Sequence, residues 1–367
     1  MSSNNRRGFL KQGLVAGAAA GSLGFPMIAK AQTSFNWKMT TTWAAGTPFY
    51  QSGPGSAEAF AKRVGEMSGG RLKIKVFAAG ELLPAFEGFD ACSAGTVEMN
   101  HGVSYYWAGK TFASQFFATV PFGMSFNGQH SWLQFGGGNE LWRETYKPFK
   151  VVPFACGCSG VQMTGWFKKP VSGINDFKGL KMRIPGLAGK AYAALGVDVK
   201  LLPGGEIFPA LERGVIDAAE WVGPFLDQMI GLQNAAKHYY TTGWHEPATT
   251  SEVVVNEAAY NKLPKDLQAI IKAAADATNQ EGLLFLENKN AVALDELVSK
   301  HGVKVSQLPP DVIQRLREAS MDMFAQAAAA DPLVKKVSDS YFAFKKKHDH
   351  WNQVSETTFQ TTVRGGV

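Results

Sequence analysis

Two long stretches of β-type sequence constrain the fold of this chain most. Residues 151–167 are interrupted by small side chains, whereas residues 238–256 contain two threonine pairs and a valine triplet; both patterns favour extended chain. Each stretch connects one α/β segment of the chain with another. Two extended crossovers between α/β units are typical of a hinged, clam-shell protein, and we therefore predict an α/β fold with two lobes.

The segments beside these crossovers have the pattern of strand, helix and strand. Residues 71–77 alternate polar and apolar side chains, a helix is expected over 84–95, and 97–103 form the next strand. The junction at 91–99 recurs at 210–218, where a helix again ends in glycine before a strand. This recurrence favours two lobes of like construction, although any helix–glycine–strand junction has the same pattern.

The crossovers set the expected boundaries of the lobes. The first lobe comprises residues 32–155 and is completed by about 248–300, and the second comprises 156–247. A C-terminal helical region follows over 301–367, with a long helix expected over 332–351. This helix carries an apolar stripe, which either packs on the helix's own lobes or contacts a second subunit. The members of the stripe are Val334, Val337, Tyr341, Phe344, His348 and Trp351.

The N-terminus has the pattern of an export signal. The paired Arg6 and Arg7 precede a short apolar run rich in glycine and alanine, which is typical of a twin-arginine (Tat) signal. Ala29 and Ala31 stand at the two positions that a signal peptidase reads. We therefore expect cleavage after Ala31, removal of residues 1–31 and a mature protein in the periplasm.

Removal of the signal changes the charge argument. The signal holds four of the 37 lysine and arginine residues and none of the 31 acidic residues, so the mature chain has a net charge of +2. Without a basic block interleaved with aromatic residues, the chain is not expected to bind nucleic acid. No later segment has about 18 unbroken apolar residues, so no membrane span is expected either.

The common motifs of catalysis are missing from the sequence. Residues 157–160 lack the five-residue frame of a nucleophile elbow, and no glycine-rich loop fits a dinucleotide. His245 beside Glu246 lacks the second histidine of a zinc-protease helix. Neither a zinc set nor a disulfide scaffold is formed by the three cysteines, Cys92, Cys156 and Cys158. We therefore predict that the protein is not an enzyme.

Arg183 is the residue on which the functional interpretation is centred. Leu180, Met182 and Ile184 alternate with polar neighbours, which predicts a short strand that stops at Pro185. A guanidinium at the mouth of a strand lies where α/β folds bind ligands, and its planar fork matches a carboxylate. We predict that Arg183 anchors the carboxylate of a small organic acid; a surface arginine at a strand end is the alternative.

Further polar residues stand where structure alone does not require them. Gln162 lies in the first crossover, Glu220 follows a second strand mouth, and Glu246 lies in the second crossover. Together they would place one amide oxygen and two carboxylates around one cleft, a set that suits Na⁺ or Ca²⁺. Solvent-facing polar residues are the alternative for each. Tyr105 and Tyr106 follow a first-lobe strand and either form the opposite wall or pack in a core.

Three runs of sequence carry a resemblance to a known family. They are residues 179–185 (GLKMRIP), 214–221 (GVIDAAEW) and 239–247 (YYTTGWHEP). Along essentially its whole mature length, the chain resembles the periplasmic solute-binding proteins of tripartite ATP-independent (TRAP) transporters. The second and third runs are similar to the subfamily that binds 2-oxo acids or lactate together with a metal ion.

The resemblance implies roles for the site residues. It implies a cation, Na⁺ or Ca²⁺, that also binds the carboxylate and the 2-oxo or 2-hydroxy oxygen of the ligand. The expected ligands of this cation are Gln162, Glu220, the Trp221 backbone carbonyl and Glu246. The residues expected to contact the acid are Arg183, Gln162, Tyr105, Tyr106 and Trp221. The resemblance also implies a homodimer whose C-terminal helices exchange between subunits.

The sequence and the resemblance together predict a non-enzymatic receptor. It would bind a small 2-oxo or 2-hydroxy monocarboxylate of the pyruvate, 2-oxobutyrate or lactate type and deliver it to a membrane permease. A receptor for a bulkier acid, such as a branched 2-oxo acid or a sugar acid, is one alternative. A Tat-exported enzyme that acts on small acids is the other. Neither the acid nor the choice between Na⁺ and Ca²⁺ follows from the sequence.

Overall fold

The structure is a computed structural model that describes residues 33–241 and 243–364. The twin-arginine motif and the expected cleavage site lie outside this range. Two sheets organise the described chain, as the alternation of helical and β-type sequence predicts for an α/β fold. Among the helices in these ranges, none is long and apolar enough to cross a lipid bilayer.

The first sheet has five strands. In spatial order they are β2 (Leu72–Phe77), β1 (Phe35–Thr41), β3 (Met99–Gly102), β10 (Thr250–Asn256) and β4 (Val151–Cys158). Strand β1 runs parallel to β2 and β3, whereas β10 is antiparallel to both of its neighbours. Five helices precede β4 in this part of the chain: α1 (Ala57–Met67), α2 (Gly88–Ala94), α3 (Gln115–Ala118), α4 (Phe126–Phe135) and α5 (Gly138–Tyr146).

The second sheet has six strands. In spatial order they are β11 (Lys304–Ser306), β9 (His238–Tyr240), β5 (Gly165–Phe167), β8 (Ala218–Ala219), β6 (Lys181–Arg183) and β7 (Asp198–Lys200). Strand β6 runs parallel to both β7 and β8, so their carboxyl ends meet at one edge. The helices of this part are α6 (Gly186–Ala193), α7 (Gly204–Glu212), α8 (Pro224–Met229) and α9 (Leu232–Ala235).

Both β-type stretches run from one sheet to the other. The first contains β4 of the five-stranded sheet and β5 of the six-stranded sheet, and the second contains β9 and β10 in the reverse order. The chain between them is irregular, at residues 159–164, 241 and 243–249. The backbone amide of Gln162 donates to the carbonyl of Glu246 (3.1 Å), so the two crossovers are joined where they pass between the lobes.

Helices of very different length complete the fold. They are α10 (Glu257–Lys262), α11 (Lys265–His301), α12 (Pro310–Ala330), α13 (Pro332–Val354) and α14 (Glu356–Thr358). Helix α11 has 37 residues, about 56 Å at 1.5 Å per residue. Its first turns pack Leu267 and Ile271 into the core of the first lobe, and its later turns place Leu286 and Leu297 in the core of the second. This helix therefore spans both lobes.

The C-terminal region contains a short strand among its helices. Strand β11 lies inside it and pairs with β9 at the edge of the second sheet. The first half of α13 packs on its own chain, because Val334, Val337 and Tyr341 are buried in the first-lobe core. By contrast, Trp351 is 63% exposed. The predicted stripe is thus buried at its start, half-buried over its middle and exposed at Trp351.

Candidate functional site

Arg183 is buried at the end of β6. Met182 and Ile184, which flank it, point into the second-lobe core, as the alternation of the sequence predicts. The Arg183 side chain is only 1% exposed, so it is not a surface arginine. Gly186 follows with φ near +65°, and a Cβ at this position would lie 3.2 Å from the Cβ of Tyr105. Glycine therefore lets the first lobe approach the mouth of β6 closely.

The guanidinium of Arg183 is held by groups of its own lobe. Its Nη1 donates to the Glu220 carbonyl oxygen (2.7 Å) and to Glu220 Oε2 (2.9 Å), and its Nε donates to the Leu202 carbonyl (3.2 Å). Its Cζ lies 5.3 Å from the centre of the Trp221 ring. These contacts fix the plane of the guanidinium, as recognition of a carboxylate by a fork requires.

Three potential metal ligands lie together beside the arginine. Glu220, His245 and Glu246 are all buried, and each offers a ligand atom within 4.8 Å of the other two. Glu220 Oε1 lies 3.8 Å from His245 Nε2. Neither this oxygen nor either ring nitrogen of His245 has a hydrogen-bond partner among the described residues. The Thr249 hydroxyl donates to Glu246 Oε2.

Gln162 adds an amide oxygen to this cluster. Its Nε2 donates to the Ser159 hydroxyl (3.0 Å), whereas its Oε1 is buried and has no hydrogen-bond partner in the described part of the chain. Buried polar atoms normally have a partner, so unpaired ones deserve an explanation. Here the unpaired oxygens of Gln162 and Glu220 belong to the predicted cation-binding set.

The pKa values of the clustered side chains are shifted, because the groups are buried and a single guanidinium lies beside them. Desolvation raises the pKa of Glu220 to about 8, although Arg183 opposes the rise. Desolvation and then the charge of Glu220 raise the pKa of Glu246 to about 7. Burial lowers the pKa of His245 to about 4. Two carboxylates therefore face one guanidinium, and a bound cation would supply the missing positive charge.

A network around Asp227 supports the loop that follows Glu220. The Asp227 carboxylate accepts hydrogen bonds from the backbone amides of Val222 (3.0 Å) and Gly223 (3.1 Å). It also accepts from Trp166 Nε1 (2.9 Å) and from the Tyr239 hydroxyl (2.7 Å). Four donors on one buried carboxylate hold this loop firmly.

A small pocket lies against these groups. Of the predicted residues, Tyr105, Tyr106, Gln162, Arg183 and Trp221 line it, so both tyrosines form a wall of the pocket. Burial raises the pKa of the Tyr106 phenol to about 12 against the opposing charge of the arginine. The lining residues that sequence reasoning missed are Trp43, Phe49, Val103, Ser159, Val222, Thr249 and Ser251.

The missed residues had weak signals in the sequence. Trp43 follows the carboxyl end of the parallel strand β1, a position where ligand-binding residues are common. Phe49 lies on an irregular loop, and only packing brings its ring to 4.7 Å from that of Trp43. His245 belongs to the recognised Trp-His-Glu-Pro run, but its position between two buried carboxylates is a tertiary feature.

The protein matches a family model described as "Bacterial extracellular solute-binding protein, family 7" over residues 39–331. A relative from Nostoc sp., described as a monocarboxylate 2-oxoacid-binding periplasmic protein, is 44% identical over 324 residues, which is 88% of each chain.

Solved structures of TRAP periplasmic solute-binding proteins resemble the whole described fold. One from Pseudoalteromonas atlantica, with bound sodium and pyruvate, has a TM-score of 0.86 and 38% identity, covering 90% of this chain and 99% of that one. One from Colwellia psychrerythraea, with bound calcium and pyruvate, has a TM-score of 0.85 and 39% identity, covering 89% and 99%.

A third structure, from Bordetella bronchiseptica, has a TM-score of 0.87 and 35% identity, covering 90% of this chain and 97% of that one. It is a dimer with copurified calcium and picolinate in one site and none in the other. Shared sequence, fold and length together show that the chain belongs to family 7 of the bacterial extracellular solute-binding proteins, the periplasmic receptors of TRAP transporters.

Proposed function

We propose that this protein binds a 2-oxo or 2-hydroxy monocarboxylate together with Na⁺ or Ca²⁺ and delivers it to a TRAP permease. The observation that carries this proposal is the buried set of unpaired oxygen atoms beside Arg183. The relative that binds 2-oxo acids and the neighbours with pyruvate beside sodium or calcium support it. A receptor role rather than an enzymatic one agrees with the family.

The residues present fit a hard cation. Gln162 Oε1, Glu220 Oε1, Glu246 and the Trp221 carbonyl would supply the oxygen ligands that Na⁺ and Ca²⁺ prefer. When bound, the cation would attract the carboxylate and the 2-oxo or 2-hydroxy oxygen of the acid. His245 adds a nitrogen close to the same position.

The charges in the site favour an acid with one carboxylate. Two buried glutamates and one ligand carboxylate together carry three negative charges. Arg183 with Ca²⁺ balances them, and Arg183 with Na⁺ leaves one unit of excess negative charge. A second carboxylate on the ligand would enter an aromatic wall that includes Trp43 and Phe49, where an unpaired charge is costly.

A bulkier acid is a second candidate. The picolinate in the Bordetella neighbour shows that a related site accepts a planar ring, and the aromatic walls of the present pocket favour such contacts. A calorimetric comparison of pyruvate, lactate, a branched 2-oxo acid and picolinate in calcium-containing buffer would rank these ligands directly.

Two measurements test the proposed function: the mass of the purified protein with whatever it has bound, and the consumption of pyruvate. Native mass spectrometry of the purified protein is expected to show one small acid and one cation for each subunit. Proton NMR of pyruvate mixed with the protein should show broadening from binding and a constant integral for hours. Steady consumption of pyruvate would instead favour the enzyme, and absence of any bound acid or cation would contradict the receptor proposal.

We also propose a homodimer formed through the end of α13. Trp351 and Val354 are 63% and 61% exposed there, and Phe359 beyond them is 52% exposed. In another part of the first lobe, Phe135 is 92% exposed. Apolar side chains that form a contiguous exposed patch commonly mark an interface between proteins, and Trp351, Val354 and Phe359 follow one another at the C-terminal end of the chain.

A truncation separates this interface from the core. A chain that ends at Lys347 keeps the buried Val334, Val337 and Tyr341 but loses Trp351. We expect it to be a monomer by light scattering at a concentration where the full mature chain is a dimer. Its circular dichroism and melting temperature serve as controls for folding, and a truncated dimer would refute the proposal.

Export by the twin-arginine route is the last part of the proposal. It is supported by Arg6 and Arg7 and by the extracytoplasmic family to which the chain belongs. Cell fractionation of a strain that lacks the twin-arginine translocase should find the precursor in the cytoplasm, and a processed periplasmic form there would exclude this route.

A further inference from the structure

His101 is a buried histidine behind the pocket, outside the predicted ligand set. It lies on β3, is 0% exposed and does not line the cavity. Its Nδ1 lies 2.7 Å from Trp43 Nε1, and its Nε2 lies 2.9 Å from the carbonyl oxygen of Cys156. Both ring nitrogens are therefore paired, in contrast to those of His245.

The partners of His101 fix its tautomer. An indole N–H can only donate, so Nδ1 must accept from Trp43, and a carbonyl can only accept, so Nε2 must carry the proton. Burial lowers the pKa of His101 to about 4, which keeps the ring neutral and preserves this arrangement. His101 thus connects β4, through Cys156, to the aromatic side chain that lines the pocket.

Trp43 is fixed by two separate sets of contacts. Its backbone amide donates to the Thr41 hydroxyl (3.3 Å), and its carbonyl accepts from the Ala79 amide (2.8 Å). These contacts hold the main chain but leave the side-chain torsions free. The hydrogen bond to His101 is the polar contact that orients the indole.

A series of ring contacts runs from the Trp43 indole across the pocket. The ring of Trp43 packs on Phe49 at 4.7 Å, and Phe49 packs on Trp221 at 6.4 Å, edge to face. Trp221 in turn lies beneath the guanidinium of Arg183. A change in the Trp43 ring therefore alters the apolar wall that faces the ligand, whereas Arg183 keeps its hydrogen bonds to Glu220 and Leu202.

We propose that His101 is a positioning residue that holds the Trp43 indole against the pocket and thereby limits the size of the acid side chain that the receptor accepts. The inference rests on the proposed function, because the ligand is taken to be a 2-oxo acid. Its expected signature is a change in selectivity between acids of different size, which loss of stability alone would not produce.

The test compares dissociation constants for pyruvate and 4-methyl-2-oxopentanoate by calorimetry in calcium chloride. His101→Gln keeps a donor for the Cys156 carbonyl but removes the acceptor for Trp43. We expect it to shift the ratio of the two constants at least fivefold toward the larger acid. His101→Asn places an oxygen close to the position of Nδ1 and is expected to restore the ratio of the wild type.

Two further variants keep the test decisive. Trp43→Phe removes the indole N–H while His101 stays, so it should shift the ratio in the same direction even if a His101 variant fails to fold. His130→Gln alters a half-buried histidine that contacts Thr250 and Asn279, and it should leave the ratio within twofold of the wild type.

The outcomes separate this inference from the proposed function. If the wild type binds neither acid, the proposed function and the role of His101 are both overturned. If it binds pyruvate normally but the ratio stays within twofold in His101→Gln and Trp43→Phe, only the role of His101 is overturned. An equal shift in His130→Gln would also overturn it, because the effect would then follow from general loosening of the lobe.

Discussion

Replacement of Arg183 with lysine is expected to weaken binding of the acid at least tenfold, about 1.4 kcal/mol. The guanidinium uses Nε and Nη1 to bind Leu202 and Glu220, which leaves Nη2 as the nitrogen that can donate to a ligand carboxylate. A lysine ammonium keeps the charge but cannot satisfy Glu220 and a ligand carboxylate with the same geometry. Titration calorimetry with pyruvate in calcium-containing buffer measures the loss.

The control for this substitution is Arg63→Lys. Arg63 also pairs with a carboxylate, that of Glu281 at 2.6 Å, but it lies on α1, away from the pocket, and Glu281 is half exposed. We expect the dissociation constant of the Arg63→Lys variant for pyruvate to stay within twofold of that of the wild type. An equally small change in Arg183→Lys would show that Arg183 does not anchor the ligand.

Loss of one carboxylate from the proposed cation site is expected to have a still larger effect. Glu220→Gln keeps the shape of the side chain but removes a charged ligand and the partner of Arg183. Truncation of one partner in a buried charge pair typically costs about 2–5 kcal/mol, so we expect binding of the acid to weaken at least about thirtyfold. Treatment of the wild type with a strong chelator, in sodium-free buffer, should cause a loss of similar size.

Glu252 provides a matched control. Its carboxylate is buried as completely as that of Glu220, and burial raises its pKa to about 8 as well. It accepts hydrogen bonds from Trp107 Nε1 (2.6 Å) and from the Tyr146 hydroxyl (3.0 Å), and it does not belong to the cluster of Glu220, His245 and Glu246. Glu252→Gln should therefore retain the dependence on calcium. Unchanged binding in chelated wild-type protein would remove the cation from the mechanism.

Local sequence predicted the framework of the site. The strand that ends at Arg183 was recognisable from alternation and from Pro185, and the two crossovers were recognisable from their length and composition. Glu220 and Glu246 were recognisable because they lie at a strand mouth and in a crossover, where structure alone does not require a carboxylate. Both are buried. These features depend on a few consecutive residues, which a sequence displays directly.

The remaining features depend on contacts between distant parts of the chain. Trp43 meets His101 across 58 positions, and Phe49 reaches Trp221 from the other lobe. The C-terminal stripe passes from buried through half-buried to exposed as α13 leaves the core of the first lobe. Periodicity identifies such a stripe but does not identify what covers each part of it.

The charged groups beside the pocket and most of its aromatic wall belong to different lobes. Arg183 and Glu220 stand on the second lobe, whereas Trp43, Phe49 and Tyr105 come from the first. Separation of the lobes would therefore remove a hydrophobic cover and admit water to the charged groups. The attraction between two unit charges 4 Å apart falls from about 4 to about 1 kcal/mol on such wetting. A permease that holds the lobes apart would thus release the ligand without contacting Arg183.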